Sequence, residues 1–446
     1  MKKTFVYAAV LLLSIMVLSV GVVSAQDTPV TIEWWSHWAN EPAKVAVIEQ
    51  IAADYMAANP HVTINLTWWD KDPLRDAIRT SMSAGEGAPD ITTMDSDFAI
   101  QWVEAGWLVD LDQYLPWDNF VGGVRADGNY SDIGIDGQYK FNISNVVNML
   151  IYNPDLFAEL GIEVPEDYQF TTDEFLNVVQ TCSAAGYAGV ANAIGNRPYP
   201  AVWAVQYPLW TLVGPEQFRL YDNGLQSWDT PEARQVLDYS VQLRDAGLWP
   251  ESFSTMTIDE FHIYFHTQRQ ACMMFIPTWY SGRAFKPQDA GGQDPEWHFG
   301  MLRYPAWENG AANDVVWGAF ESGYAITTAS QNPDVAGDIL AFAAQPRYGA
   351  LWTAVTNSPS AIRFDPAVDW PSDELLTSLG VTPGQWDWYW EQFNEVYRSL
   401  PSVSVAPARC GDFDAAVVST LNEGLPLGLL SVDEAIEMLD SALCVQ

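Results

Sequence analysis

Basic residues are scarce in this sequence. Only 20 Lys and Arg stand against 57 Asp and Glu in 446 residues, which gives a formal net charge of −37 at pH 7. An acidic surface repels phosphate backbones and anionic lipids, so nucleic-acid binding and docking on acidic membranes are excluded. Recognition of carboxylate or phosphate groups usually relies on Arg or Lys. The composition therefore favours a neutral or cationic ligand.

Long apolar runs are absent after the first 25 residues, and no later segment has the apolar length that a membrane-spanning helix needs. At the start, two lysines precede an apolar run from Val6 to Val20 that ends at Ala25, which is typical of a cleaved signal peptide. We expect residues 1–25 to be removed; the alternative is an uncleaved anchor. No Cys stands at the cleavage point to carry a lipid. The sequence thus predicts an exported, soluble protein of the periplasm or the extracellular space.

Cysteines are also few, and the four of them form an even set. In an exported chain this favours disulfides, for which three pairings are open. We favour Cys182 with Cys272 and Cys410 with Cys444, because each bond then closes a loop within one part of the chain. The alternative is four buried thiols. The wide spacing does not resemble a zinc site.

The order of strand-like and helix-like segments predicts an α/β fold. About 420 residues follow the signal peptide, more than one core usually serves, so we expect two domains. Val30–Trp35 and Val62–Trp68 are strand-like, and Pro42–Ala58 between them has apolar residues on one helical face. This βαβ unit, followed by a strand at Asp90–Met94, predicts a mostly parallel sheet flanked by helices.

The second half of the chain has the signals of many helices with short strands between them. Capping boxes start at Thr171 and Ser431, each with Glu three residues later. The candidate strands are Asn145–Tyr152, Ala271–Ile276, His298–Leu302 and Gly323–Thr327. There is no internal repeat and no low-complexity segment.

Several stretches resemble motifs of one known family. They are Ser83–Ile91 with its Gly-Ala-Pro-Asp strand entry, Glu104–Leu111, Leu150–Phe157 with Tyr152-Asn153, Phe265–Trp279, and Gly323–Ile326 followed by Asn332-Pro333. In order and spacing they resemble the type 1 extracellular solute-binding proteins, the family of the maltose-binding protein and other sugar-import receptors. The resemblance implies a two-lobed periplasmic-binding-protein fold of type II character, with a ligand cleft between hinged lobes.

The resemblance also implies that neither lobe is contiguous in sequence. We expect the chain to cross between lobes near Asn142–Ser144, near Gly318 and near Ala350. Lobe 1 would then comprise residues 26–143 and 319–350, and lobe 2 residues 144–318 and 351–446. The implied partners are the membrane permeases and the cytoplasmic ATPase of an ABC importer, with the receptor itself a monomer.

Three tryptophans, Trp34, Trp35 and Trp38, stand at the exit of the first predicted strand, with His37 among them. In open α/β sheets, ligands bind beyond the carboxyl ends of the strands. Alternation along a strand prevents all three rings from pointing into one core. We therefore predict that Trp35, His37 and Trp38 face the ligand, with core packing as the alternative. A Trp face covers the C–H groups of a sugar ring and leaves its N–H free to donate.

The resemblance places further aromatic residues in the cleft. Trp279 matches a ligand-stacking Trp of the family, and Tyr280 lies beside it. The remaining candidates from this comparison are Trp203 and Tyr207, in a stretch similar to an aromatic platform, and Trp317 and Glu321 near the second crossing. For Trp203 and Tyr207, core packing is the alternative.

Three polar residues complete the predicted site. Asp97, just beyond the third strand, aligns with a carboxylate with which the family binds hydroxyl groups; the alternative is a helix N-cap. Asn142 and Asn145, at the first crossing, are expected to contribute amide contacts to the ligand, or else hydrogen bonds within the hinge.

A neutral sugar or oligosaccharide is the expected ligand, captured by closure of the lobes. A secreted carbohydrate-active enzyme is the main alternative, because aromatic platforms and paired carboxylates also occur in glycoside hydrolases. A polyamine receptor of the same fold is another, since acidic and aromatic residues also cage cations. His262 and His266 lack a convincing third metal ligand. We therefore expect no enzymatic activity, no cofactor and no metal.

Overall fold

The computed structural model describes residues 28–95, 99–131, 134–196, 200–320, 322–404 and 409–444. The expected signal peptide, residues 1–25, lies outside the described residues, as do the predicted site residues Asp97 and Glu321. Within the described ranges, no helix is long and apolar enough to cross a membrane. Nor do these ranges contain three or more His, Cys, Asp or Glu side chains grouped to hold a metal ion.

The strands form two separate sheets. In chain order they are β1 (Val30–Ser36), β2 (Val62–Trp68), β3 (Ile91–Met94), β4 (Asn145–Tyr152), β5 (Ala188–Ala191), β6 (Ala271–Pro277), β7 (Gly300–Leu302), β8 (Val316–Phe320), β9 (Gly323–Ile326) and β10 (Ser402–Val403). The first sheet has the order β2-β1-β3-β9 and the second β10-β8-β4-β6-β5, with β7 also paired to β4. The predicted α/β architecture with two lobes is confirmed.

The first lobe forms around the βαβ unit that the sequence predicts. β1 pairs in parallel with β2 and β3, and only β9 is antiparallel. Val47, Ile48 and Ile51 are buried on one face of the helix Pro42–Ala58, as the apolar spacing indicates. The helices of this lobe are Pro42–Ala58, Lys71–Ala84, Ala99–Glu104, Val124–Asp127, Pro333–Ala343, Pro346–Thr356, Pro366–Asp369 and Asp373–Ser378.

The sheet of the second lobe differs from the mostly parallel sheet that was expected. β4 is antiparallel to its three partners β6, β7 and β8. The reason is that β4 carries the chain away from the first lobe, whereas β8 returns it there, so the two neighbours run in opposite directions. Among the described strands of this second sheet, parallel pairs remain only between β5 and β6 and between β8 and β10.

The second lobe is predominantly helical outside its sheet, as predicted. Its helices are Pro154–Leu160, Thr172–Ala184, Tyr207–Val213, Pro215–Asp222, Pro231–Asp245, Ile258–His266, Ser281–Ala284, Asp387–Val396, Gly411–Val417 and Val432–Ser441, with π-helical turns at Val202–Gln206 and Val418–Gly424. The predicted capping boxes at Thr171 and Ser431 are both present, and a third occurs at Thr257. Each satisfies two backbone donors that the helix itself leaves unpaired.

Three stretches of chain meet at the hinge. Phe141 pairs with Tyr324 in the first lobe, while Asn145 pairs with Phe320 in the second. The first crossing therefore lies between Phe141 and Asn145, and the second follows Phe320. The third stretch contacts the first crossing through Ser360, which forms a bridge with Ser144.

The return to the second lobe occurs later than position 350, where the sequence placed it. Leu351, Trp352, Ile362 and Leu376 are all buried in the core of the first lobe. The reason is that the helix Pro346–Thr356 buries its apolar side chains against the helix Pro42–Ala58, which keeps this part of the chain with the first sheet. The chain rejoins the second lobe at the helix Asp387–Val396, which contacts β7.

Both expected disulfides are present and belong to the second lobe. Cys182 and Cys272 are fully buried in its main core, and their bond connects the helix Thr172–Ala184 to β6. Cys410 and Cys444 are only partly buried and join the segment before the helix Gly411–Val417 to the end of the described chain.

Candidate ligand-binding cleft

A cavity of about 610 Å³ lies between the two lobes. This volume is within the usual range for sites that bind small molecules. The first lobe lines it with His37, Asn40, Glu41, Asp70, Lys71, Asp72, Pro73, Asp95, Ile100, Gln101, Glu104, Asp127 and Ser322. The second lobe lines it with Val146, Asn148, Asn196, Val202, Trp203, Gln206, Asp222, Ile258, Asp259, Phe261, Ile276, Pro277, Trp279, Arg283, Trp317, Arg409, Gly411 and Asp414. The two walls therefore differ in chemistry.

The Trp and Phe rings of the lining all belong to the wall of the second lobe, beside its polar side chains, and Trp279 is the most exposed of these rings. Trp279 lies in a single 3-10 turn, Thr278–Tyr280, directly after β6. Its indole is half-buried, with the ring of His262 5.8 Å away and the guanidinium carbon of Arg283 5.9 Å from its centroid. His262 and Arg283 thus lie next to the Trp279 ring, and the exposed part of the ring lines the cavity.

Trp203 and Trp317 are held more deeply in the same wall. Trp203 is carried by the π-helical turn Val202–Gln206 and stacks on Phe275 at 5.7 Å. Such turns are rare and occur frequently at functional sites, because the extra residue redirects side chains. Trp317, on β8, stacks on Trp210 at 5.6 Å. Both rings are almost fully buried, so they offer the cavity only part of their surface.

The wall of the first lobe is polar, and an ion pair lies at its centre. Asp95 follows β3 directly, and its Oδ2 is 2.6 Å from the Lys71 ammonium and accepts a hydrogen bond of 2.6 Å from the Ser322 hydroxyl. Burial is the largest influence on Asp95 and acts to raise its pKa, but the charges of Lys71 and His37 and the hydrogen bonds from Lys71 and Ser322 together outweigh it and hold this pKa well below its usual range. Asp95 is therefore a carboxylate at any physiological pH, and its lone pairs can accept from ligand hydroxyls.

His37 adjoins this pair at the end of β1. Its backbone N–H donates to Thr93 Oγ1 at 3.2 Å, and its buried Nδ1 has no hydrogen-bond partner among the described residues. Burial lowers the pKa of His37 to about 4, although the charge of Asp95 acts to raise it. The imidazole is neutral at pH 7 and can both donate to and accept from a polar ligand.

Glu41 links the two lobes electrostatically. Its Oε2 is 2.6 Å from the buried Lys44 ammonium and would be 3.5 Å from a Cβ atom placed on Gly282 of the second lobe. Burial acts to raise the pKa of Glu41, but Lys44 and then Arg283 outweigh this and lower it. A negative charge of the first lobe thus faces a positive charge of the second across the cleft.

The structure brings four of the twelve predicted ligand-binding residues to the cavity: His37, Trp203, Trp279 and Trp317. Trp38 lies instead in the core of the first lobe, with no exposed surface. Trp35 lies on the face of β1 opposite to Trp34, and its ring centroid is 5.2 Å from that of Trp69. The first lobe thus contributes no indole ring to the cavity lining.

Four further candidates lie behind the cavity wall or in the hinge. Tyr207 is buried behind Trp317 and stacks on Tyr304 at 3.9 Å. Asn142 is fully buried and donates to Asp127 Oδ2 at 2.9 Å, while the backbone N–H of Asn145 donates to Pro359 O at 2.9 Å. The latter two residues therefore stabilise the first crossing.

The fourth, Tyr280, follows Trp279 in the same 3-10 turn, is buried and contacts His266. Nδ1 of His266 is 2.7 Å from the Tyr280 hydroxyl, and Nε2 is 3.2 Å from the carbonyl of Gly291. A carbonyl only accepts, so Nε2 carries the proton and Nδ1 accepts from the Tyr280 hydroxyl. This arrangement uses the neutral imidazole, and burial lowers the pKa of His266 to about 4.

This shift predicts a loss of stability at mildly acidic pH. The unfolded chain takes up a proton at His266 below its ordinary pKa of 6.5, whereas the folded protein does so only near pH 4. The free energy of unfolding should fall by about 1.4 kcal/mol per pH unit for this group as the pH drops through that window. Urea unfolding across the same range should show a smaller pH slope for His266→Gln than for the wild type. Equal slopes would contradict the assignment.

Several cavity residues were missed by the sequence reasoning. Lys71, Asp95 and Glu41 are charged residues in an acid-rich chain, and nothing in their local sequence separates them from solvated surface groups. Asp95 had one usable signal, because it immediately follows a predicted strand. Arg409 and Asp414 are far along the chain and had no signal of this kind.

The comparisons with known proteins agree with this architecture. The family model described as bacterial extracellular solute-binding protein matches residues 38–350. A putative binding protein of Brucella abortus (strain 2308) is 24% identical over 306 residues, which is 68% of this chain and 70% of that protein. An uncharacterized lipoprotein of Streptomyces antibioticus is 28% identical over 184 residues, covering 41% of this chain and 40% of that protein.

Solved structures share the fold over nearly the whole chain. One, from work on xylan utilization by Caldanaerobius polysaccharolyticus, has a TM-score of 0.72 at 21% identity and covers 92% of this chain and 99% of that one. The cyclic α-maltosyl-1,6-maltose binding protein of Arthrobacter globiformis has a TM-score of 0.67 at 22% identity, covering 93% and 98%. Because the family model spans most of the sequence and the two-lobed fold agrees with it, this chain belongs to the bacterial extracellular solute-binding proteins.

Proposed function

We propose that this protein captures a neutral sugar or oligosaccharide between its lobes and delivers it to the permeases of an ABC importer. The observation that carries the proposal is the difference between the two cavity walls. A sugar ring has C–H groups on its faces and hydroxyl groups around its edge. The aromatic wall of the second lobe suits the faces, and the polar wall of the first lobe suits the edge.

The charges in the cavity support a ligand without an anionic group. Each cationic side chain of the lining is already paired: Lys71 with Asp95, Arg283 with Asp259, and Arg409 with Asp222. A carboxylate or phosphate ligand would have to compete with these partners. Hydroxyl groups need no such exchange, because they can donate to carboxylate oxygens that are already in ion pairs.

The related structures support the same ligand class. Two further structural neighbours are a chitin oligosaccharide binding protein, at a TM-score of 0.69 and 17% identity, and the raffinose complex of RafE, at 0.63 and 16%. Together with the maltosyl-maltose binding protein, they show that this fold accommodates several sugars. The identity is too low to carry over any one of them, so the proposal names the class only.

Closure of the lobes is the mechanism that we propose for capture. Trp279 and Trp203 in the second lobe would form the platform on which the ligand first rests. His37, Asp95 and Glu41 of the first lobe would then bind its hydroxyl edge, so that the ligand stabilises the closed form by contacts to both walls. The expected platform of rings from both lobes is thereby replaced by an aromatic wall and a polar wall. The importer would recognise the closed form, and no catalytic step is involved.

A cationic ligand such as a polyamine is the second candidate. The observation that favours it is the excess of carboxylates in the lining, with Asp70 and Glu104 at the rim in addition to the paired groups. A flexible amine would draw on this charge and stack less on the aromatic wall. The two candidates therefore differ in which wall dominates binding.

A thermal-shift series separates these candidates. We expect at least one of xylotriose, chitotriose, raffinose and maltotriose to raise the melting temperature by a few degrees, because a ligand that binds only the folded form stabilises it by about 2.7 kcal/mol at a hundred times its Kd. Above Kd the shift should rise with the logarithm of the sugar concentration, whereas an osmolyte effect rises in proportion to concentration. A shift with spermidine and none with the sugars would replace the proposal by its alternative.

A further inference from the structure

A corner of the cavity in the second lobe has its own hydrogen-bond network, centred on Arg409. Arg409 Nη2 donates to Asp222 Oδ1 at 2.6 Å and its Nε donates to the carbonyl of Asp222 at 2.8 Å. Its Nη1 donates to Asp414 Oδ1 at 3.1 Å. Gln206, at the end of the π-helical turn, also donates to Asp222 Oδ1. All four side chains line the cavity.

Arg409 has donors left over in this position. A guanidinium group carries five N–H donors, and the three bonds to Asp222 and Asp414 occupy three of them. The Arg409 side chain is 18% exposed and lines the cavity, so its two remaining donors, one on Nη1 and one on Nη2, are available to a ligand there. One positive and two negative charges meet here, so the corner favours a hydroxyl group over a ligand carboxylate.

The Cys410–Cys444 disulfide holds both sides of this corner. Cys410 directly follows Arg409, and the backbone N–H of Cys444 donates to the carbonyl of Gly224, two residues after Asp222. The ring of Phe413 packs so closely on Gly224 that an added Cβ would lie 2.7 Å from it. The disulfide therefore fixes the segment that carries Arg409 against the segment that carries its main partner.

We propose that Arg409 is a ligand-binding residue that donates to sugar hydroxyls, and that Cys410 and Cys444 are positioning residues that hold it in place. This inference rests on the proposed function, because it assigns a polar subsite to the same cavity. According to this inference, the partly exposed Cys410–Cys444 disulfide increases the affinity for sugar by holding Arg409 in place. The fully buried Cys182–Cys272 disulfide lies in the core and offers a matched control.

The test measures Kd by titration calorimetry with whichever of the four trisaccharides above gives the largest thermal shift. Arg409→Lys keeps the charge beside Asp222 but has only three donors, which the two carboxylates can occupy. We expect its Kd to rise about tenfold or more, as for the loss of a hydrogen bond from a charged donor. Cys410→Ser/Cys444→Ser should weaken binding to a similar extent. The two changes combined should weaken it no further than the larger one alone, because both remove the same contact.

Cys182→Ser/Cys272→Ser should lower the melting temperature and leave Kd within about twofold of wild type, since its loop closure stabilises the fold and not the corner. Wild-type affinity in Cys410→Ser/Cys444→Ser, or losses that multiply in the combined variant, would overturn the inference. Should that disulfide variant not fold, Asp414→Ala removes the second acceptor that holds Arg409 in place. We expect this variant to raise Kd, and an unchanged Kd would overturn the inference.

Hydrogen exchange in the absence of ligand separates this inference from the proposed function. Amides of the segment from Cys410 to Val417 should lose protection in Cys410→Ser/Cys444→Ser, and those of β6 should not. If no sugar binds the wild type, the proposed function fails, and protection of the Arg409 segment still decides whether the disulfide positions it. Unchanged protection in that variant would overturn the positioning role.

Discussion

Replacing Trp279 by Ala should weaken sugar binding by about thirtyfold or more, the effect expected when a central aromatic anchor worth at least 2 kcal/mol is removed. Trp279 is half-buried and lies in a short turn at the cavity surface. Its loss removes the platform but little of the core, so the melting temperature of the unliganded protein should change only slightly. Titration calorimetry and a thermal melt on the same sample measure both quantities.

Trp35→Ala is the matched control for this prediction. Trp35 is also half-buried, but it packs on Trp69 and does not line the cavity. It should therefore cost some stability and leave the affinity for sugar unchanged. A similar loss of affinity in both variants would show that the effect of Trp279→Ala comes from general loosening of the fold, and would remove Trp279 from the site.

Replacing Trp38 by Ala should lower the free energy of unfolding by about 3–5 kcal/mol, the usual cost of emptying a large core position. The Trp38 ring is 0% exposed. It lies between Tyr324 and Trp352, each at 5.3 Å, with the Lys44 ammonium 5.1 Å from its centroid. Urea unfolding measures the loss, and the fraction that remains folded should bind sugar with unchanged Kd.

Trp370→Ala provides the comparison on the surface. Trp370 is 45% exposed, so its removal should change the free energy of unfolding by less than about 0.5–1 kcal/mol. If Trp38→Ala had an equally small effect on stability but abolished binding, Trp38 would be a ligand-binding residue, as the sequence alone suggested, and the packing described here would be wrong.

The positions of Trp34, Trp35 and Trp38 show which side-chain directions strand alternation can predict from the sequence and which it cannot. Alternation along β1 correctly separates Trp34, which is buried in the core, from Trp35 on the opposite face. It could not assign Trp38, because this residue lies past the end of β1, where the alternation of a strand no longer applies. Which face meets the other lobe is set by helices far along the chain, such as Pro346–Thr356, and local sequence holds no information on them.

The polar residues of the site could not be predicted from the sequence, because their roles also depend on distant parts of the chain. The sequence could place Trp279, because a family motif surrounds it. Lys71, Asp95 and Arg409 gain their roles only through partners on other segments, as when Ser322 and Lys71 meet on Asp95. With 57 acidic residues in the chain, the composition offered no means to separate these carboxylates from solvated ones.

The interleaving of the two lobes has a consequence for biosynthesis. β3 cannot pair with β9 until the strands β4 to β8 of the second lobe have left the ribosome, and the helix Pro346–Thr356 must follow before the first core can close. An N-terminal fragment therefore exposes an open strand edge and apolar helix faces, and cannot reach a stable fold alone. Stable folding is therefore postponed until the chain is nearly complete.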